Sequence, residues 1–255
     1  MKKQRKIKIR SKNTYAVMIA AFALILIAAI VAMLFYNGVF LINNPSEEEY
    51  PVRGVDVSAY QGEIDWQTLG AQGIDFAYIK ATEGSSHTDE RFEFNHNEAL
   101  KTELRIGAYH FFSFESGGDT QAAHFIATVP KTENMLPPAI DLELYGDFEK
   151  NRPDADKVTA ELDKFIAAVE AHYDIKPIIY ATEESYSHLL ISRYDELDIW
   201  IRGVYSKPKI SDGRAWTFWQ YTNRETLNGY NGEEKFIDMN VFNGSAEEFA
   251  LYPQK

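Results

Sequence analysis

The sequence predicts an α/β fold, an irregular TIM-like (β/α)5β3 barrel preceded by one transmembrane helix, and three observations lead there. From Pro51 onward, apolar strand-like runs alternate with segments of helical period. Past about residue 192 the rhythm changes, and three further strand-like runs follow with no convincing helix between them. Ahead of both, residues 15–36 form an apolar run without one charged side chain.

That run sets the N-terminal organisation. A helix over 15–36 is roughly 33 Å long at about 1.5 Å per residue, enough to cross a hydrocarbon core of about 30 Å. A cleaved signal peptide is the rival reading. Its apolar region usually spans about 7–15 residues and ends in small side chains; this one is longer and ends in Leu34, Phe35 and Tyr36. Lys2, Lys3, Arg5, Lys6, Lys8, Arg10 and Lys12 precede the run, and no cation follows until Arg53. Positive flanks stay inside, so 1–14 reads as a cytoplasmic tail on the cell membrane and the remaining mass as extracellular. Residues 37–50, with Asn43-Asn44-Pro45-Ser46 and Glu47-Glu48-Glu49, read as a polar linker reaching at most about 50 Å. A single domain is expected over 51–255.

Within that domain the strand candidates are Val52–Ala59, Phe76–Thr82, Ile106–Phe112, Ala139–Leu144 and Pro177–Ala181. Helix candidates lie at Trp66–Gln72, Phe92–Thr102, Thr120–Thr128, Ala155–Tyr173 and Glu184–Ser192. The fourth is the clearest. Val158, Leu162, Phe165, Ile166, Val169 and Tyr173 recur at spacings of three and four, one apolar stripe on a helix. Ile199–Tyr205, Ala215–Tyr221 and Phe236–Phe242 are the last three strands. In a barrel of parallel strands, chemistry collects at the C-terminal strand ends.

Composition excludes several functions. The N-terminal 36 residues take seven of the 26 basic side chains and no acid, leaving 19 basic against 38 acidic residues. Such a domain repels nucleic acid and anionic surfaces, so no nucleic-acid partner is expected. With no cysteine there is no disulfide, thiolate metal site or cysteine nucleophile. The six histidines form no H-E-x-x-H, no serine sits in G-x-S-x-G, and no glycine-rich phosphate loop is present. No metal or cofactor is expected. His110 follows Tyr109 on a strand, so its ring points the other way and reads as packed structure. Aromatic residues at 14% serve either a large core or sugar rings lying on aromatic faces.

The sharpest chemical signal is Pro137-Pro138-Ala139-Ile140-Asp141-Leu142-Glu143-Leu144. On a strand Asp141 and Glu143 share one face, roughly 6–7 Å apart, while Ile140, Leu142 and Leu144 take the other. Burying two carboxyls this way is costly unless pairing or chemistry retains them. Cleaving a glycosidic bond needs this equipment: an acid to protonate the leaving oxygen and a carboxylate to meet developing positive charge. Proximity raises one pKa, which would keep Glu143 protonated. D-x-E also occurs on exposed strands and near turns. Asp56, between Val55 and Val57, and Asp238, between Ile237 and Met239, add an acid from the first strand and one from the last. Lys80 and Glu83, near the end of the second strand, either border the cleft or form a structural ion pair.

These segments resemble glycoside hydrolase family 25, the Chalaropsis-type lysozymes or N-acetylmuramidases. The likeness runs from about Arg53 to Gly244. It rests on G-V-D-V-S at 54–58, K-A-T-E-G at 80–84, G-A-Y-H-F-F at 107–112, A-I-D-L-E at 139–143, I-I-Y-A-T at 178–182, W-Q-Y-T at 219–222 and D-M-N at 238–240. The resemblance implies a flattened barrel and hydrolysis of the β-1,4 bond between N-acetylmuramic acid and N-acetylglucosamine in peptidoglycan glycan strands. It implies Glu143 as general acid, Asp141 as the group that orients or stabilises the reacting centre, and Asp56 and Asp238 completing an acidic pocket. Tyr109, Tyr180 and Glu83 are candidate substrate-binding residues. Trp219 and Tyr221, sharing a strand face, either stack a sugar or pack in the core. Both a covalent intermediate and attack by the substrate's own acetamido group fit the D-x-E arrangement. A scaffold that binds wall glycan without cutting it, and a chitinase-like enzyme, are the alternatives. The chain departs from the family's usual pattern at Thr102-Glu103-Leu104, where Ala-Gly-Leu is common, and at Arg202-Gly203, where an alanine often follows Trp-Ile.

Overall fold

The structure, a computed structural model, describes residues 2–253; Met1 of the expected tail and residues 254–255 of the expected domain lie outside it. Two compact units result, the first ending at Leu41 and the second beginning at Ile42.

The first unit is built on helix α1 (Lys2–Tyr36). Within it lies the 24-residue stretch Asn13–Tyr36, whose most apolar 18 residues have a mean hydropathy of 3.1, long and apolar enough to cross a bilayer. Its large side chains, Ile19, Phe22, Leu24 and Ile27 among them, are exposed. A helix apolar on all sides suits hydrocarbon better than water.

The second unit contains strands β1 (Arg53–Val57), β2 (Phe76–Glu83), β3 (His87–Thr88), β4 (Arg105–Phe111), β5 (Ala139–Leu142), β6 (Ile178–Thr182), β7 (Ile199–Arg202), β8 (Phe218–Glu225) and β9 (Ile237–Phe242). Between them lie helices α2 (Trp66–Gly70), α3 (Phe92–Ala99), α4 (Gly118–Thr128), α5 (Ala155–Tyr173) and α6 (Glu183–Leu189), with α7 (Ala246–Leu251) after β9. The strand order β1-β9-β8-β7-β6-β5-β4-β2, closed by pairing of β1 with β2, makes an eight-stranded barrel, with β3 a short hairpin on β2. Seven strands run parallel. Among the described strands of the barrel itself, only β9 is antiparallel to its neighbours, β1 and β8.

Strand alternation divides the apolar residues into two cores. Outward residues such as Val55, Ile79, Ile140, Leu142, Ile179 and Ile201 join the α5 stripe of Leu162, Phe165, Val169 and Tyr173 in one buried cluster. That stripe forms the expected helix over its full length. Asp154 caps its first turn through the amides of Asp156 and Lys157, and Asp174 ends it in the left-handed region. Inward residues from the starts of the parallel strands, with Phe249 and Tyr252 from the C-terminal segment, fill the barrel floor. Tyr78 stacks on Trp200 with centroids 4.8 Å apart, and Phe76 meets Phe218 edge-on at 5.2 Å. Glycine makes room for this floor. A Cβ on Gly107 would lie 2.3 Å from the Tyr78 ring, and one on Gly54 2.4 Å from Phe76.

Several boundaries differ from expectation. The strand over Ala215–Tyr221 begins at Phe218 and runs on to Glu225. The Ile199 strand stops at Arg202, because Gly203 turns the chain so closely past the Ser206 carbonyl that a Cβ there would lie 2.9 Å away. The expected linker also shortens, since the compact unit begins at Ile42 instead of 51. Asn43 donates to the Gly203 carbonyl at 2.9 Å, Arg53 bonds the Pro45 carbonyl, and the buried Tyr50 ring packs on Trp216 and Trp219. Isolated aromatic and amide anchors of this kind leave no periodicity to read.

Candidate active site

The floor occupies the N-terminal half of the barrel, so inward residues nearer the C-terminal strand ends line a cleft of about 810 Å³. Asp56, Tyr109, Asp141, Glu143, Tyr180 and Asp238 all face it. Topology explains the last member. Because β9 is antiparallel, its beginning lies at the barrel's mouth, and Asp238 stands directly opposite Asp56 in the register. Glu143 lies just past the end of β5, two residues beyond Asp141, where the chain leaves the sheet.

A network of amides holds the acids. Gln220 Nε2 donates to both oxygens of Asp56, at 2.9 and 3.2 Å, and to Asp238 Oδ2 at 3.2 Å. Asn240 Nδ2 donates to Asp56 at 2.8 Å. Each amide is itself oriented, because the Tyr180 hydroxyl donates to Gln220 Oε1 and Trp200 Nε1 donates to Asn240 Oδ1. Asp56 therefore accepts bonds that favour its carboxylate, although burial raises its pKa on balance. Burial, followed by the charge of Asp56, pushes Asp238 well above the usual carboxylate range.

The second pair is less satisfied. Burial, followed by the charge of Glu143, lifts Asp141 far above its ordinary value. Its Oδ1 is closed from solvent and has no hydrogen-bond partner. A buried acceptor without a donor is a costly arrangement, and one a ligand N–H can relieve. Burial also raises Glu143, against the Arg202 cation and the Tyr180 hydroxyl, which lower it. A carboxyl so placed keeps its proton to higher pH than an exposed one and can act as an acid. Tyr109 and Tyr180 are held as neutral phenols by burial and the surrounding carboxylates.

Three sequence candidates lie elsewhere. Trp219 and Tyr221 are 3% and 1% exposed in the outer core, where Trp219 Nε1 donates to the Gly203 carbonyl and the Tyr221 hydroxyl accepts from Arg53. Of the two readings offered for them, core packing is the one the structure shows. Glu83 is outside the cleft lining, paired with Lys80 at 2.7 Å. A bulge at Ala81 breaks the alternation of β2 before that residue is reached. His110 is buried, stacked on Phe165 and bonded to Thr82 and Gln121. Sequence reading gave no role to Gln220 and Asn240, yet both were legible, one as the polar residue between two core aromatics, the other two positions after Asp238.

Among the described residues no cluster of acids and histidines is arranged to hold a metal ion. The acids of this barrel instead gather at a single mouth, the kind of carboxyl-lined cleft that glycosidic-bond hydrolysis uses. A sequence profile described as glycosyl hydrolases family 25 matches residues 55–230. A solved family 25 glycosyl hydrolase from Bacillus anthracis is 51% identical, with a TM-score of 0.79 over 84% of this chain and 97% of that one. The bacterial lysozyme from Streptomyces coelicolor superposes with a TM-score of 0.70 at 30% identity, covering 78% and 95% of the two chains. Lysozyme M1 of Streptomyces globisporus is 31% identical over 76% of this chain and 69% of its own length. The chain belongs to glycosyl hydrolases family 25, and it is a glycoside hydrolase.

Proposed function

We propose that this chain is a membrane-tethered muramidase that cuts the β-1,4 bond between N-acetylmuramic acid and N-acetylglucosamine, with Glu143 as general acid. Support for the substrate comes from the family and from relatives named lysozyme and N,O-diacetylmuramidase. The observation that carries the mechanism is the orphaned Oδ1 of Asp141, buried beside Glu143. A muramoyl residue brings the missing donor, its acetamido N–H.

In this reading Glu143 gives its proton to the glycosidic oxygen as the bond from that oxygen to the anomeric carbon breaks. The acetamido carbonyl oxygen closes on the same carbon, and Asp141 stabilises the cation through the N–H. Water then attacks the anomeric carbon, Glu143 takes its proton, and the acetamido group is released with configuration retained. Asp56 and Asp238, fixed by Gln220 and Asn240, shape the acidic wall of the pocket, and Tyr109 and Tyr180 contact the sugar.

The test is digestion of peptidoglycan by the full chain, with mass spectrometry of the products. New reducing ends on muramic acid are expected, and Glu143→Gln should lower the rate by about 10²–10⁴-fold. Reducing ends on N-acetylglucosamine, or equal activity in that variant, contradict the reading. Faster cutting of chitin oligomers would make the enzyme chitinase-like.

The tether belongs to the same proposal. The apolar stretch of 24 residues and the seven cations before it support a single-pass anchor with the N-terminus inside the cell. An N-terminal tag should resist protease on intact spheroplasts while the C-terminal domain is digested. Recovery of the active domain only from culture medium contradicts anchoring.

A further inference from the structure

Arg202 ends β7 and lines the cleft, half-buried beside the acids. Among the described residues its guanidinium has no hydrogen-bond or ion-pair partner. The other arginines of the domain are engaged: Arg53, Arg91, Arg105, Arg152, Arg193 and Arg214 in hydrogen bonds, Arg224 over the Phe236 ring. Structural need therefore does not explain it. The strand end that carries it is nonetheless fixed. The next carbonyl, that of Gly203, accepts from both Trp219 Nε1 and Asn43 Nδ2 at 2.9 Å.

Charge balance gives this cation a task. Seven carboxyl side chains line the cleft against two cations, Arg202 and the exposed Lys150. A neutral sugar enters such a field freely, but a glycan bearing carboxylates is repelled unless a cation receives them. Muramoyl residues carry a lactyl ether whose carboxyl is either free or amide-linked to a stem peptide with carboxylates of its own. A guanidinium with five unspent donors presents a planar fork that matches one carboxylate bidentately. We propose that Arg202 is a specificity-determining residue that receives a carboxylate carried by the muramoyl residue. This deepens the muramidase reading and rests on it. The same cation lowers the pKa of Glu143, Asp56 and Asp238, in keeping with a guanidinium central to the cleft.

Binding separates this claim from catalysis. The full chain in detergent, carrying Glu143→Gln so that strands persist, is titrated with soluble glycan strands in two forms, peptide-stripped and peptide-bearing. Each form is used before and after carbodiimide amidation of its carboxyls. Amidation is expected to weaken binding about tenfold in the parent, to have little effect once Arg202→Gln is added, and to have an intermediate effect with Arg202→Lys. A loss confined to stripped strands assigns the lactyl carboxylate, and one confined to peptide-bearing strands assigns the stem. Equal binding of acid and amidated strands by the parent overturns the proposal. So does an amidation penalty that persists undiminished in both Arg202 variants. Should the chain with Glu143 intact release no reducing ends, the muramidase reading falls while the binding comparison still judges Arg202.

Discussion

Asp56 and Asp238 face each other across the antiparallel β1–β9 pair, and the amide nitrogen of Gln220 donates to both. Two carboxylates opposite one another in a buried setting repel, so the pair is stable only with a shared proton or with donors between them. Gln220 supplies the donors, and the elevated pKa of Asp238 supplies the proton. The single antiparallel strand of the barrel is what brings the pair together.

Gln220→Glu should therefore be among the most damaging isosteric changes in the domain. It removes a buried N–H donor and inserts a further acid beside two others. The added group's folded-state pKa is raised, so its cost appears above the ordinary carboxylate range and disappears as pH falls. A loss of about 3 kcal/mol is expected at pH 7, shrinking toward pH 4, with activity reduced at least about 100-fold. Thermal unfolding at the two pH values reads this directly; an unaltered midpoint at pH 7 contradicts the network.

The alkaline side of the pH–rate profile should follow Glu143. Burial raises its pKa, so the proton needed for catalysis persists above the range of an exposed glutamate, and activity declines as pH rises through that elevated value. Arg202 opposes the rise. Replacing it with glutamine should shift the alkaline limb to higher pH whatever happens to the maximal rate. Initial rates on one substrate between pH 4 and 8 test this, and a limb that stays in place shows that Arg202 does not act on Glu143.

Much of this site was legible because a carboxyl inside an apolar run is conspicuous, as with Asp56 between valines and Asp141 between Ile140 and Leu142. Strand β8 was harder. Its outward face is covered by other elements and its inward face is wet at the mouth, which inverts the usual relation between polarity and exposure. The aromatic pair Trp219 and Tyr221 therefore lies in the core, and Gln220 between them reaches the cleft. Glu83 was obscured by the bulge at Ala81, since one extra residue exchanges the two faces of a strand. The Asn43 and Tyr50 anchors left no pattern, because single long-range contacts have no period.

Asp141→Asn should trade activity for stability. Burial and the Glu143 charge raise the Asp141 pKa, so the folded chain binds this proton more tightly than the unfolded chain does. Stability is then lost as pH rises from about 3.9, the unfolded value, toward the folded one. Asparagine never ionises and escapes that loss. Its unfolding midpoint at pH 7 should exceed the parent's by several degrees, with the difference vanishing near pH 3.5, while activity drops about 100-fold or more. A lower midpoint at pH 7 would mean that Asp141 is held by donors in the folded state.

His110 gives the opposite slope. It is fully buried, and burial depresses its pKa from 6.5 to about 4 even though the hydrogen bond to Gln121 works the other way. A base whose folded pKa is depressed contributes full stability above its unfolded value and loses it as pH falls toward the folded one. Between pH 6.5 and 4 the unfolded chain takes up a proton that the folded ring refuses, which costs roughly 3 kcal/mol across the window. His110→Gln keeps a polar group near Thr82 and Gln121 and removes the titration, so it should be less stable than the parent at pH 7 and relatively more stable at pH 4. The acidic residues of the cleft titrate in both proteins and cancel in the comparison. Urea unfolding at pH 7 and pH 4 measures the difference; parallel losses in parent and variant would show that the folded ring takes up its proton as readily as the unfolded one.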